Sequence, residues 1–180
     1  MLLLDITRSG TRLIRMRSII LVADNVRSSH NVGSLLRTAE GLGITEVILS
    51  GYSPHPTSDQ DTRMPHIARK VHAQIKKTAL GAEEYLRWSH CEDIAKVITN
   101  LRNQGYQIVG LEQSKKSVSI SSWNPGSMVA LIVGNEVKGL SKDVLDLCDQ
   151  VVEIPMYGKK ESLNVVQATA IALGQLRFTK

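Results

Sequence analysis

The chain has 180 residues, 42% of them hydrophobic and 22% charged, with a formal net charge of +5. That length supplies one domain with a real core, and that composition excludes a disordered chain. No apolar run reaches the roughly 18 residues of a membrane span and the opening "MLLLD" is too short for a signal-peptide core, so a cytoplasmic protein without a membrane partner is expected.

The first seventeen residues are rich in arginine, with Arg8, Arg12, Arg15 and Arg17 in "TRSGTRLIRMR". "RSIILVAD" is a short β-branched apolar run and reads as a buried strand, followed by the polar turn "NVRSSHN". In "NVGSLLRTAEGLG", Val32, Leu35, Leu36, Ala39 and Leu42 recur at helical spacing, with Asn31 as the expected N-cap and Gly41 or Gly43 as the stop. "EVILSG" is a second strand. From Tyr52 to about Lys77 the chain is polar and holds Pro54, Pro56 and Pro65, which predicts a long loop with a short helix around Ile67 to Gln74. That stretch adds Arg63, Arg69, Lys70, Lys76 and Lys77 to the basic residues.

The second half continues the alternation. "CEDIAKVITNLRNQG" predicts an amphipathic helix ending at Gly105, and "YQIVGLE" and "SMVALIVGNE" predict strands. "SKDVLDLCD" predicts a short helix capped by Ser141, "QVVEIP" a strand, and the C-terminal tail a helix. Strands alternating with helices predict an α/β domain with a mostly parallel sheet and helices on both faces. Cys91 and Cys148 lie far apart without CxxC spacing and read as reduced thiols, and the five histidines share no metal-ligand spacing.

Ligands of open α/β sheets bind beyond the carboxyl ends of strands. Three segments occupy such places: "ADNVRSSHNVGSLLRTAE", "IVGNEVKGLS" and "IPMYGKKESLNVVQATA". The second has the glycine spacing of a P-loop, Gly134 and Gly139, but Leu140 stands where the phosphate-binding lysine belongs, which excludes that chemistry. What is left is two glycine- or serine-containing turns after apolar strands, where close backbone approach suits an uncharged nucleoside. Aromatic residues are only 4% of the chain, which argues against a broad base-stacking platform.

These three segments together resemble the motifs of the SpoU-type RNA ribose 2'-O-methyltransferases of the SPOUT superfamily, from roughly Ser18 to the C-terminus. The first carries Asn25, Asn31, Gly33, Arg37, Thr38 and Ala39, the second Gly134, Glu136, Gly139 and Leu140, and the third the run "IPMYGKKESLNVV". The chain is similar to minimal single-domain members, with residues 1–17 as a basic extension and 18–180 as the methyltransferase domain. The resemblance implies a C-terminal trefoil knot over roughly Met128 to Lys180, S-adenosylmethionine (AdoMet) as cofactor, no metal, and a homodimer with the site near the subunit interface. It also implies an RNA substrate, tRNA first and ribosomal RNA second; the alternative is a non-catalytic RNA-binding or ribosome-associated homologue.

By the same resemblance, Arg37, Asn25, Glu136, Ser162 and Asn164 are the expected catalytic residues. Arg37 would orient the 2'-oxygen and stabilise its developing charge, because a guanidinium is a poor base. Glu136 would hold Arg37 or the ribose, and Asn25 and Asn164 would orient the site. Leu111, Glu112, Gly134, Asn135, Glu136, Gly139, Ile154, Met156, Ser162 and Leu163 are expected to frame the cofactor. RNA contact is expected from Arg8, Arg12, Arg15, Arg17, Arg63 and Lys76. The pattern departs from relatives at "SSH" before Asn31 and at Val165-Val166-Gln167 after Asn164.

Overall fold

The apolar run after Arg17 forms the strand around which the other layers are built. A computed structural model describes residues 3–7, 10–14, 16–59 and 61–179, the first two segments as backbone alone. Those two segments are β1 (Leu3–Thr7) and β2 (Gly10–Ile14), an antiparallel pair in a sheet of their own. Arg8 and Arg15, and the side chain of Arg12, lie outside the described residues.

From there the order is β3 (Ser18–Asp24), α1 (Ser29–Gly41), β4 (Glu46–Ser50), α2 (Pro65–Ala79), α3 (Ala82–Tyr85), β5 (Trp88–Cys91), α4 (Ile94–Asn103) and β6 (Gln107–Leu111). The chain continues with β7 (Val118–Ser119), β8 (Met128–Val133), α5 (Lys142–Asp146), β9 (Gln150–Glu153) and α6 (Val165–Phe178). Seven strands form one sheet in the order β5-β4-β3-β8-β6-β9-β7, every pairing parallel. Strand β8 lies between β3 and β6, so the ends of segments more than a hundred residues apart become neighbours.

The twofold alternation along β3 sorts the core. Ile19, Leu21 and Ala23 pack with Leu35 and Leu36 of α1, Ile75 of α2 and Leu173 of α6, while Ile20 and Val22 pack with Ile98 of α4 and Val144 of α5. All five β3 residues are under 5% exposed. The parallel sheet is therefore covered on both faces, as its continuous apolar strands require.

Several boundaries differ from the sequence expectation. Helix α1 is capped by Ser28, whose Oγ accepts from the Asn31 N–H at 3.3 Å, so Asn31 sits inside the first turn and is not the cap. The helix expected at Ile67 to Gln74 runs from Pro65 to Ala79, because Pro65 suits its first turn and Lys76 and Lys77 favour its last. The helix of "CEDIAKVITNLRNQG" is capped by Asp93 and released at Gly105, whose φ is +87°. Two arginines close the domain end to end. Arg17 donates to the carbonyls of Gly126, Leu176 and Thr179, and Arg177 donates to those of Arg17, Leu42 and Gly43.

Helices α1 and α2 approach most closely at Gly33. A Cβ there would overlap the Thr78 hydroxyl and the Ile75 carbonyl. Helix propensity alone would make Gly33→Ala stabilising by about 1 kcal/mol, but forced separation of packed helices costs about 1–3 kcal/mol more than that gain. Gly33→Ala is expected to lower the thermal midpoint by roughly 3–10 °C, measured by calorimetry or circular dichroism.

Candidate functional site

Strand β8 ends at Val133, and the chain turns at once through Gly134 to Gly139. Asn135 organises the turn: its Oδ1 accepts from the N–H groups of Val137 and Lys138, both at 2.9 Å, and its carbonyl accepts from the Gly139 N–H at 2.9 Å. Gly134 lies so close to Gly139 that a Cβ would strike its backbone, and Gly139 itself has φ +65°. Glu112, just beyond β6, closes the far side by accepting from the N–H groups of Leu140 and Gln113. Gln113 then donates to the Glu161 carbonyl at 3.0 Å, which ties down the segment before α6.

These turns enclose a cleft of about 200 Å³ at the carboxyl ends of β6, β8 and β9. All ten residues expected around a cofactor line it, joined by Gln113, Val133, Val137, Glu153, Val165 and Ala168. The six additions follow from the fold, since each is a sequence neighbour of an expected residue or lies on the first turns of α6. The lining suits an adenosine with a cationic tail. Leu111, Val133, Ile154, Met156 and Leu163 offer apolar contact, and Glu112, Glu136 and Glu153 bring three acidic residues to the same lining. No group of three or more metal-ligating side chains occurs among the described residues. No helix among them is long and apolar enough to cross a membrane.

Glu136 does not hold Arg37. Its carboxylate accepts from the N–H groups of Arg27 at 2.9 Å and Ser28 at 3.1 Å and from the Asn31 amide at 2.8 Å. It thereby clasps the entrance of α1 onto the turn after β8. Burial alone would raise its pKa, but the donations from Arg27, Asn31 and Ser28 outweigh it and hold the carboxyl below the ordinary value near 4.5. Asn31, read in the sequence both as a cap and as a position of the first family motif, is not the cap, and its amide is bound to the Glu136 carboxylate.

Asn25 is fully engaged in structure. It sits at φ +54°, its Oδ1 accepts from the Tyr52 N–H, its Nδ2 donates to Asp24, and its carbonyl accepts from the Asn135 amide. Asn164 caps α6, accepting from the Val166 N–H at 2.8 Å, while Ser162 lines the cleft. Arg37 lies elsewhere. It is exposed on α1 and lines a shallow groove with Thr38, Lys77, Ala170, Gly174 and Phe178, between α1 and α6.

Of the residues expected to meet RNA, Arg17 is turned onto the three carbonyls named above. Arg63 forks onto Asp61 at 2.9 and 2.6 Å and reaches the carbonyls of His55 and Pro56. Lys76 is exposed and pairs with Glu84 at 3.1 Å, an arrangement worth at most about 1 kcal/mol. Arg69, Lys70 and Lys77 are exposed beside it on α2.

A parallel α/β sheet with a glycine-lined, acidic-edged nucleoside cleft at its strand ends defines the class as nucleotide- or nucleoside-cofactor proteins. Residues 18–174 match the model of the SpoU rRNA Methylase family, and the chain belongs to that family. It is 29% identical over 159 residues to the tRNA (guanosine(18)-2'-O)-methyltransferase of Aquifex aeolicus, covering 88% of this chain and 68% of that protein. It is 32% identical over 157 residues to the 23S rRNA (guanosine-2'-O-)-methyltransferase RlmB of Xanthomonas axonopodis pv. citri, covering 87% and 57%. The crystal structure of the A. aeolicus TrmH/SpoU tRNA modifying enzyme superposes with a TM-score of 0.72 at 26% identity, covering 90% of this chain and 75% of that one. The chain thus spans 57–68% of the length of these two curated relatives.

The Glu136 clasp makes a pH prediction. A carboxyl held below its ordinary pKa contributes stability that is complete above the unfolded value and lost as pH falls through the folded one. Glu136→Gln is expected to cost about 1–3 kcal/mol at pH 7, and the gap between variant and wild type should narrow as pH falls below about 4.5. Urea unfolding at pH 7, 5 and 3.5 measures it.

Proposed function

We propose that the chain is an RNA ribose 2'-O-methyltransferase that uses AdoMet and works as a homodimer. The observation that carries this reading is that the second and third family motifs line one cleft whose lining fits an adenosine and a sulfonium, with the first motif clasped to its edge by Glu136. Residues 18–180 form the methyltransferase domain, with the knot at roughly 128–180 and residues 1–17 as a basic arm. Bound AdoMet supplies an electrophilic methyl group.

The chain's own residues do the rest. Gly134 lets the turn close at the edge of the cleft, because a Cβ there would strike the Gly139 backbone. The apolar walls receive an adenine, and Glu112, Glu136 and Glu153 give a cationic ligand a negative surround. Glu136 also fixes the entrance of α1, and with it the helix that carries Arg37.

Arg37 is separated from the cleft of its own chain, lying in a groove whose rim includes a Phe178 that is 76% exposed. A second copy packed on this α1/α6 face brings Arg37 to the cleft of its neighbour. There the guanidinium orients the ribose 2'-oxygen and stabilises its developing negative charge, and the methyl group is met in line. With Arg17 and Arg63 committed to carbonyls, the RNA backbone meets the exposed Arg69, Lys70, Lys76 and Lys77 of α2. The substrate is RNA, tRNA in first place and ribosomal RNA in second; the names of the two relatives support the RNA class without ranking the two.

Transfer of labelled methyl from AdoMet to unmodified bulk tRNA and, separately, to ribosomal RNA, followed by nuclease digestion and nucleoside mass spectrometry, tests the reading. A 2'-O-methylated nucleoside is expected from one pool. Arg37→Ala is expected to reduce turnover by about 10²–10³ while AdoMet affinity changes less than about twofold. Mixing Arg37→Ala chains with Gly134→Leu chains, each inactive alone, should restore turnover. No restoration would place Arg37 and the cleft it serves in the same chain.

A further inference from the structure

A second, larger cleft of about 700 Å³ opens beyond the carboxyl ends of β4 and β5. The family motifs do not enter it. Its walls gather rings that the composition made scarce: Tyr52, His55, Trp88 and His90. The His55 and His90 rings stack at 4.2 Å, and Trp88 lies 6.3 Å from His55. His90 is held by its Nε2 against the Gly51 carbonyl at 3.0 Å, and the Trp88 indole N–H is held by the Glu83 carbonyl at 3.2 Å. Tyr52 is 62% exposed although its hydroxyl is anchored.

The electrostatics of this cleft select against a phosphate. The one guanidinium in its wall, Arg63, is neutralised by Asp61 and turned to two backbone carbonyls. Burial pushes the His55 pKa below its ordinary value, against the opposing pull of the Pro56 carbonyl, so its imidazole is neutral at pH 7. Glu92 adds a carboxylate at the wall. What remains is a set of aromatic faces, which suits a planar uncharged heterocycle.

Position ties this cleft to the first one. The Tyr52 hydroxyl accepts from the Asn135 amide at 2.9 Å, and Asn135 lines the cofactor cleft. The Tyr52 backbone is fixed in turn by Asn25. The tyrosine thus lines the ring-lined cleft and is hydrogen-bonded to a residue that lines the first one, and the exposed cations of α2 lie on the segment that follows the cleft's own loop.

We propose that the cleft of Tyr52, His55, Trp88 and His90 receives an unstacked nucleobase of the substrate RNA, at or beside the nucleotide whose ribose is methylated. This rests on the RNA methyltransferase reading above and deepens it by assigning the base to a site outside the family motifs. Specificity for RNA then has two separate parts: phosphates on α2 and one base in the ring-lined cleft.

The test reads binding, so it does not depend on methyl transfer. Trp88 and Trp123 are the two tryptophans, and Trp123 is buried with an indole N–H that has no partner among the described residues. Trp123→Phe therefore isolates Trp88 emission and removes an unsatisfied donor. This chain is titrated with single-stranded hexanucleotides and with a matched hexamer carrying one abasic position. Quenching of Trp88 by the base-bearing hexamers, with roughly tenfold weaker binding of the abasic one, is expected. Adding His55→Ala or His90→Ala should erase that tenfold difference while AdoMet affinity, measured by calorimetry, stays within about twofold. Equal binding of the two hexamers to the parent chain, or an abasic penalty that survives both substitutions, would overturn the proposal. Absence of methyl transfer alongside the expected binding pattern would instead overturn the enzymatic reading and leave the base site standing.

Discussion

The site depends on one residue held in a strained conformation. Asn25 follows β3 at φ +54°, a left-handed position that costs most side chains but that asparagine tolerates. Each of its polar groups is used. The N–H donates to the Ser50 carbonyl, the side chain joins the Tyr52 N–H to Asp24, and the carbonyl receives the Asn135 amide. Through this residue the ends of β3, β4 and β8 are fixed to one another. Gly51, at φ +63°, has no side chain because a Cβ would occupy the Asn25 carboxamide. Tyr52, which lines one cleft, and Asn135, which lines the other, thus both hang on Asn25.

The strand order makes such a node reachable. With β8 inserted beside β3, the turn after Val133 lies next to the turn after Asp24, and Glu136 can accept from N–H groups 108 and 109 residues earlier. A carboxylate receiving three donations is a stronger tie than a neutral turn would be. It also does two things at once, lining the cleft beyond β8 and setting the first turn of α1. Arg37 follows six positions after Asn31 on that helix, so anything that frees Glu136 also frees the base of the helix that carries the guanidinium.

Much of this was legible in the sequence, and the exceptions have physical causes. Strands such as IILVA and VALIV are buried on both faces, so their apolar runs announce themselves. Strand β5 reads WSHC because it is an edge strand with only half-buried positions, and no apolar run marks it. The capping of α1 was placed three residues late because Ser28 and Asn31 are both good caps, and only backbone geometry separates them. Eight of the ten positions expected around a cofactor lie in the second and third motifs, and Leu111 and Glu112 lie at the end of another strand, so all ten meet at neighbouring strand ends. The division of labour between Asn25 and Asn31 was not legible, since it turns on which asparagine reaches Glu136.

Charge was the least legible quantity, and it shapes how this protein can meet a polyanion. Counting Lys and Arg treats every guanidinium as available. In the fold, Arg17 and Arg177 are exchanged between the start of β3 and the end of α6, each satisfying carbonyls that helix and loop ends leave without intrahelical partners. Arg63 similarly organises the loop around the ring-lined cleft. A guanidinium with several planar donors is suited to this bracing, whereas the lysines of α2, with compact charges on flexible stems, stay exposed. Of these arginines only Arg63 builds the wall of the ring-lined cleft, and under the proposed function the attraction that brings a phosphate backbone would fall to the α2 cations, screened and salt-sensitive.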